Sequence, residues 1–462
     1  MKKNLNFNTL VMIFAVVALV AAITWIVPGG EYSREIKDGK TLVVPNSFKY
    51  VESNPQGIGA LFMSPLTGFV KAAAIIGFLF IIGGAFSIIQ KTGAIKVSVQ
   101  RLAYTFARKP HLEKYFIPLT MIIFSIAGSI FASSEEALPF ILIFIPLAWT
   151  MGYDSIVGTA IPFLGLAAGF AGATLNPFTV GIAQSIAELP LYSGLGYRVV
   201  IWFISTAAMI AFVMVYAKKV KAKPEISPMF SFDKERKKSM NLDNKVDATF
   251  TIQHKMVLLS FLAAMVILIV GILGFNWYIT ELGALFLALG IVAGFAGKLN
   301  LTQMTDAFKD GARDMVGVAL IIGCARAILV IATDGKVIDT MLFSLSGLIV
   351  NLHPIVASQA MFVMQGVINF FVHSASGQAM LTMPVMSPLA DVLGVSRQIA
   401  VLAFQFGEGW INPILPTSGV TMGVLGLAGI PWDKWFKWML PVQIFFFILA
   451  LLLLIPPFFF NY

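Results

Sequence analysis

The sequence predicts an all-α polytopic membrane protein made of two inverted-topology repeats, each carrying a re-entrant helical hairpin and a proline-broken helix. Three observations predict it: an apolar composition, a pair of carboxylates stranded between two apolar runs, and the return of that stretch later in the chain. Of 462 residues, 58% are hydrophobic and 12% charged, and the mean hydropathy is +0.86. That is too apolar for a soluble chain of this length.

The carboxylates are Glu135 and Glu136, within Phe131-Ala-Ser-Ser-Glu-Glu-Ala-Leu-Pro-Phe-Ile-Leu-Ile-Phe-Ile-Pro146. Tyr115 to Phe131 and the run ending near Met151 flank them, and both are apolar. A helix break between lipid-embedded flanks leaves backbone groups unpaired unless protein or a watery cavity receives them, so the stretch reads as the tip of a re-entrant hairpin. A surface loop between two full crossings is the bland alternative, and it spoils the inside-positive charge count downstream.

The element recurs at His373-Ser-Ala-Ser-Gly-Gln-Ala-Met-Leu, which interrupts Pro354 to Val372. Superposing the two stretches matches Ser134 with Ser376, Glu136 with Gln378, Pro146-Leu-Ala with Pro388-Leu-Ala, and Gly152 with Gly394. Ile81-Ile-Gly-Gly-Ala likewise answers Ile321-Ile-Gly-Cys-Ala, and Asn176-Pro177 answers Asn412-Pro413. The chain therefore reads as a duplication.

The formal net charge of +9 concentrates in a few loops, as membrane orientation requires, and does not point to nucleic acid. Cys324 is the only cysteine, which excludes disulfides and thiolate metal sites and suggests packing. An intramembrane enzyme needs a nucleophile–base pair or a metal set. His111, His254, His353 and His373 show no His-Glu-x-x-His spacing, and Gly-x-Ser-x-Gly is absent, so no enzyme is expected.

In chain order, Thr9 to Val27 follows Met-Lys-Lys without a small-residue cleavage site and reads as an uncleaved first helix leaving a cytoplasmic N-terminus. Gly29 to Gln56 holds four acids and four bases, as an outside loop can. Ala72 to Ile89 returns inward, and Lys91, Lys96, Arg101, Arg108 and Lys109 then suggest an interfacial cytoplasmic helix. An inward hairpin (about 115–151) and a broken helix (about 156–188) complete a first repeat, 1–217. In that broken helix, Pro177 removes a donor in mid-membrane, and Gly158, Gly165, Gly169 and Gly172 suggest close helix packing.

Residues 218–255 carry ten Lys or Arg against five acids and read as a cytoplasmic linker. The second repeat, 256–462, contains an outward hairpin (about 354–394) and a broken helix (about 397–428). The extra crossing at Met256 to Phe275 inverts it and leaves the C-terminus outside. Asp154, Glu188 and Asp391 read as loop or interface residues.

Two hairpin tips and two broken helices from inverted repeats are the recurring construction of secondary transporters with a midplane site. Half-helix N-termini suit anions, while carbonyls with Ser, Thr and Asn oxygens suit Na⁺ or a polar substrate. The candidate residues are Ser133, Ser134, Glu135, Glu136, Asn176 and Thr179, and their counterparts Ser374, Ser376, Gln378, Glu408, Asn412, Thr417 and Ser418. Glu135, Glu136 and Glu408 outweigh Arg326 and His373, the candidate cations. That excess favours a cationic substrate, or a carboxylate that exchanges protons, since two adjacent buried acids do not both ionise easily. Arg326 can bind substrate, pair with a structural carboxylate or lie at a subunit contact.

With Ser133-Ser-Glu-Glu-Ala-Leu-Pro, Ala173-Thr-Leu-Asn-Pro and Glu408-Gly-Trp-Ile-Asn-Pro in view, the chain resembles the YfcC branch of the DcuC (four-carbon dicarboxylate carrier-like) family over nearly its whole length. The resemblance places it in the ion transporter superfamily and implies an elevator mechanism, a homodimer and a bacterial inner-membrane location. It further implies kinship with arginine/ornithine antiporters and with dicarboxylate carriers.

The superfamily's Ser-Asn-Thr signatures imply Na⁺ near Ser134, Asn176, Ser376 and Asn412. Thr179 and Thr417, however, follow their Asn-Pro pairs at unequal distances, so Na⁺ and H⁺ both stand as coupling ions. No other cofactor is expected. The resulting expectation is a basic amino acid carrier working by exchange or proton coupling. The alternative is a Na⁺- or H⁺-coupled carrier of an anionic metabolite, a dicarboxylate or short fatty acid.

Overall fold

The computed structural model describes residues 9–37, 40–95, 97–98, 101, 110–130, 137–239, 251–275, 277, 279–460 and 462. Eight helical segments among them are long and apolar enough to cross a membrane. The first helix, α1, spans Thr9–Ile23. The following loop departs from the all-α expectation by forming two antiparallel ribbons. In one, β1 (Gly30–Glu31) pairs with β4 (Lys49–Tyr50); in the other, β2 (Arg34–Lys37) pairs with β3 (Lys40–Val43).

The ribbons rest on the second half of the chain. Asp339 accepts from the Tyr32 backbone N–H at 2.9 Å and pairs with the Arg34 guanidinium at 2.9 Å. Phe48 stacks on Phe343 with ring centroids 4.1 Å apart. A two-stranded ribbon is marginal alone, and these anchors supply what the loop sequence lacks.

Next come α2 (Ile58–Lys71) and α3 (Ala73–Lys91), joined by a bend at Ala72. The single crossing expected from Ala72 omitted α2, whose glycines, Ser64, Pro65 and Thr67 interrupt its apolar run. The predicted interfacial helix at Lys91–Lys109 lies largely outside the described residues.

The helices α4 (Pro110–Ile130) and α5 (Ala137–Thr150) flank residues 131–136, which are outside the described residues. Asp154 then caps α6 (Ser155–Ala171) by accepting from the Val157 N–H at 2.9 Å. The helix stops at Gly172, and the chain resumes through a π-helical turn, Pro177–Gly181, into α7 (Ile182–Ile186). The break begins before the Asn176-Pro177 pair rather than at it. All of α6 is buried. At Gly169 an added Cβ would overlap the Ser125 carbonyl of α4, which accounts for the glycines as close packing.

The long helix α8 (Leu195–Ala222) runs past the linker boundary expected at 217, since Lys and Ala sustain a helix into water. The linker is more than a tether. Its helix α9 (Phe230–Ser239) returns to the protein, where buried Asp233 accepts from both the backbone N–H and the hydroxyl of Ser155 at the start of α6.

The second half runs α10 (Ile252–Phe275), α11 (Ile279–Ala296), α12 (Leu301–Asp314) and α13 (Val316–Asp334), the last two joined by a bend at Met315. Then follow α14 (Val337–Ile349), α15 (Pro354–Phe371), α16 (Ala375–Val392), α17 (Arg397–Gly409), α18 (Gly419–Ala428) and α19 (Trp432–Leu453).

The two bent helices pack reciprocally, α2 on α13 and α12 on α3. A Cβ on Gly83 would stand 2.7 Å from the Gly311 carbonyl oxygen, and one on Gly68 would overlap the Gly323 carbonyl. Backbones come this close only where side chains are absent. The core centres on α6 and α17, each buried nearly from end to end. Leu259, Leu262, Val266 and Val270 on α10 and Phe203 on α8 are exposed, an apolar surface suited to lipid.

Candidate functional site

Two interruptions in the second half meet at one cavity. Between α15 and α16 the chain leaves helical geometry at Val372–Ser374, and between α17 and α18 it unwinds from Trp410 to Ser418. Proline at 413 cannot donate to a continuing helix, so a short turn, Asn412–Ile414, intervenes. Ser374 caps α16 by accepting from the Gly377 N–H, and Ser418 caps α18 by accepting from the Thr421 N–H at 3.3 Å. These hydroxyls serve the helix ends as well as facing the cavity.

The cavity, about 540 Å³, is lined by Ser374, Ser376, Glu408, Asn412 and Ser418 of the predicted set. That volume is within the range of small-molecule sites, roughly 300–1,000 Å³. Glu408 is 1% exposed, and its Oε1 accepts from the Asn412 Nδ2 at 2.6 Å. Asn369, one turn before the first interruption, donates to the carbonyls of Gly407 and Glu408 and to Asn412 Oδ1 at 3.3–3.4 Å. It stitches the two interruptions together. The Thr421 hydroxyl donates to the Asn412 carbonyl at 2.8 Å, receiving a backbone oxygen that the break exposes.

The remaining predicted residues lie elsewhere. Gln378 is buried on α16 and donates to the Gln365 carbonyl and side chain at 2.9 and 2.8 Å, an internal strut. Thr417 is buried beside the cavity without lining it, and its hydroxyl has no hydrogen-bond partner among the described residues. In the first half, Asn176 donates to the Gly128 carbonyl at 3.1 Å, and Ser129 and Thr174 share a hydroxyl contact of 2.8 Å. The break after α6 thus packs on the end of α4. Thr179 is fully buried there. Ser133, Ser134, Glu135 and Glu136 lie outside the described residues.

One charged residue that the sequence reading did not name also lines the cavity. Among the described residues, Arg326 and His373 line the cavity with Glu408, and Lys71, at the end of α2, joins them; Glu135 and Glu136, the other predicted acids, lie outside the described residues. Sequence reading passed over Lys71 because α2 was not recognised, and over Asn369 because a lone asparagine in an apolar run gives little signal. Its position just before an interruption was the available clue.

Polar residues read as loop or interface also find partners. Arg397 bridges Glu188 and Asp391 at 2.9 and 2.8 Å. Asp154 accepts from Tyr216 and Ser227 at 2.6 and 2.5 Å. Burial raises the Asp154 carboxyl above the ordinary carboxylate range, while those donors act in the opposite sense.

Spanning helices around a polar cavity at two helix interruptions define a membrane carrier for a small molecule. More narrowly, the chain belongs to the DcuC family: the family model, described as C4-dicarboxylate anaerobic carrier, matches residues 7–458. That description is of a carrier.

The chain is 37% identical to the Escherichia coli (strain K12) protein named "Putative basic amino acid antiporter YfcC", over 93% of this chain and 92% of that protein. It is 29% identical to an uncharacterised Haemophilus influenzae protein, over 96% of this chain and 95% of that one. Among solved structures, the YdaH transporter of Alcanivorax borkumensis aligns at TM-score 0.42 and 15% identity, covering 98% of this chain and 99% of that one. MtrF of Neisseria gonorrhoeae, described as representing a class of antimetabolite efflux pumps, aligns at TM-score 0.42 and 16% identity, covering 98% and 95%.

Proposed function

We propose that the protein is an inner-membrane secondary carrier that exchanges a basic amino acid of the arginine or ornithine type by an elevator movement of inverted repeats, 1–217 and 256–462, joined by the linker 218–255. The observation that carries the substrate class is Glu408: a buried carboxylate, held by Asn412 where α17 unwinds, at the wall of the cavity. A fixed acid in a low-dielectric pocket is a strong counter-charge for an ammonium or guanidinium group. The relative named for basic amino acid antiport agrees with this class. The reciprocal Gly83–Gly311 and Gly68–Gly323 approaches support the repeats, since each bent helix meets its counterpart by the same device. The paired interruptions support the hairpins and broken helices of such a carrier.

A second reading, carriage of an anionic metabolite, is favoured by Lys71 and Arg326 on the same cavity and by the family description. Thermal stabilisation of the purified protein by arginine, ornithine, lysine, succinate and fumarate, each with and without Na⁺, separates the two, because a ligand that binds only the folded state raises the midpoint. The basic amino acids are expected to raise it. A Na⁺-dependent shift by succinate or fumarate, with no response to arginine or ornithine, would move the assignment to the anion carrier.

A further inference from the structure

The cavity lined by Glu408 is also lined by Lys71 and Arg326, which a counter-charge for a cationic group does not account for. Resting on the basic amino acid reading above, we propose that Lys71 and Arg326, with the N-termini of α16 and α18, form a subsite that reads the substrate's carboxylate. The carrier then accepts amino acids and rejects the decarboxylated amines that share their side chains.

Four observations converge on this subsite. Arg326 lines the cavity from α13, and its Nε is buried without a hydrogen-bond partner among the described residues. A buried donor held that way is costly until an acceptor arrives, and a carboxylate matches the forked donors of a guanidinium. Lys71 reaches the same cavity from the bend between α2 and α3, adding a second positive charge. Finally, α16 begins at Ala375 and α18 at Gly419, and both residues line the cavity. Helix N-termini carry partial positive charge and present N–H groups to an anion.

The acid and the two bases are supplied by different parts of the fold. Lys71 and Arg326 belong to the reciprocally packed bent helices, whereas Glu408 belongs to the buried helix α17. A ligand with a carboxylate at one end and a cation at the other bridges them. Agmatine and putrescine offer nothing to the cationic part and place a second positive charge near it.

The test is binding of arginine, ornithine, agmatine and putrescine, with succinate as an anion probe, to the purified protein and to Arg326→Gln and Lys71→Ala. Arginine and ornithine are expected to bind at least about tenfold more tightly than agmatine and putrescine. Each variant should reduce arginine affinity about tenfold or more while leaving the weak agmatine affinity unchanged. The charge-retaining variants Arg326→Lys and Lys71→Arg should recover part of the loss, which separates charge from folding, and the unliganded melting midpoint reports folding directly. Equal affinity for arginine and agmatine, or equal losses for both in the variants, overturns the subsite and leaves the basic amino acid reading intact. Binding of succinate alone, weakened in both variants, keeps the subsite and overturns that reading.

Discussion

Glu408 sits in a run, Phe404 to Gly409, that is buried on all sides, yet its carboxylate meets a polar cavity because the helix ends one residue later. Asn412 positions the carboxylate, and Asn369 holds the backbone around it. Glutamine at 408 keeps an oxygen for Asn412 and the shape of the side chain while removing the charge. Glu408→Gln is therefore expected to weaken arginine or ornithine binding by about a hundredfold, close to 3 kcal/mol, as when one partner of a buried charge pair is removed. The unliganded melting midpoint should stay near that of the native protein. Titration calorimetry beside a melting curve checks both, and undiminished binding would remove Glu408 from the site.

At the scale of elements, the linker helix α9 acts as a clasp at one end of the molecule. Asp233 receives the first N–H of α6, and Arg236, over the Trp149 ring at 5.2 Å, donates to the Ala428 carbonyl at the end of α18. An acid thus sits at one helix N-terminus and a base at another helix's C-terminus, which is the favourable sense for both dipoles. The clasp joins the buried helix of the first half to the second helix of the later break. Asp233→Ala leaves the buried Ser155 N–H and hydroxyl without their acceptor. It should cost about 1–3 kcal/mol, read as a lowered melting midpoint with ligand affinity unchanged. A midpoint equal to that of the native protein would show that α9 rests on the bundle without holding it.

For the whole molecule, the proposed topology places the ribbon loop outside and the linker inside. Cys324, the only cysteine, is buried, so single cysteines can report sidedness against a quiet background. Glu35→Cys on β2 should react with a membrane-impermeant maleimide in intact cells. Lys234→Cys on α9 should react only after permeabilisation. The reverse pattern would invert the assignment, and labelling of both in intact cells would refute an odd number of crossings between them. The ribbon's attachment to Asp339 already requires Gly30–Tyr50 and the start of α14 to share one side.

Much of this molecule was legible in its sequence because a bilayer leaves few options. Backbone groups in lipid must be satisfied locally, so apolar runs become helices and polar interruptions within them become candidate sites. That logic reads the interruptions at His373 and Asn412 from the sequence and names Ser374, Ser376, Glu408, Asn412 and Ser418, which line one cavity. It also read the repetition of Ile81-Ile-Gly in Ile321-Ile-Gly.

Tertiary structure alone decided the rest. Whether Gln378 faces a ligand or braces Gln365 depends on which side of α16 is buried, and its match to Glu136 carries no such information. Lys71 joins the cavity only because a bent helix pairs with its counterpart far along the chain. The linker's Asp233 becomes a cap only once α9 meets Ser155. Periodicity and composition record how a segment treats lipid and water, whereas the partner of a buried polar atom is set by three-dimensional neighbours distant in sequence. For that reason the class of protein was readable from the chain, and the place of Lys71 at its cavity was not.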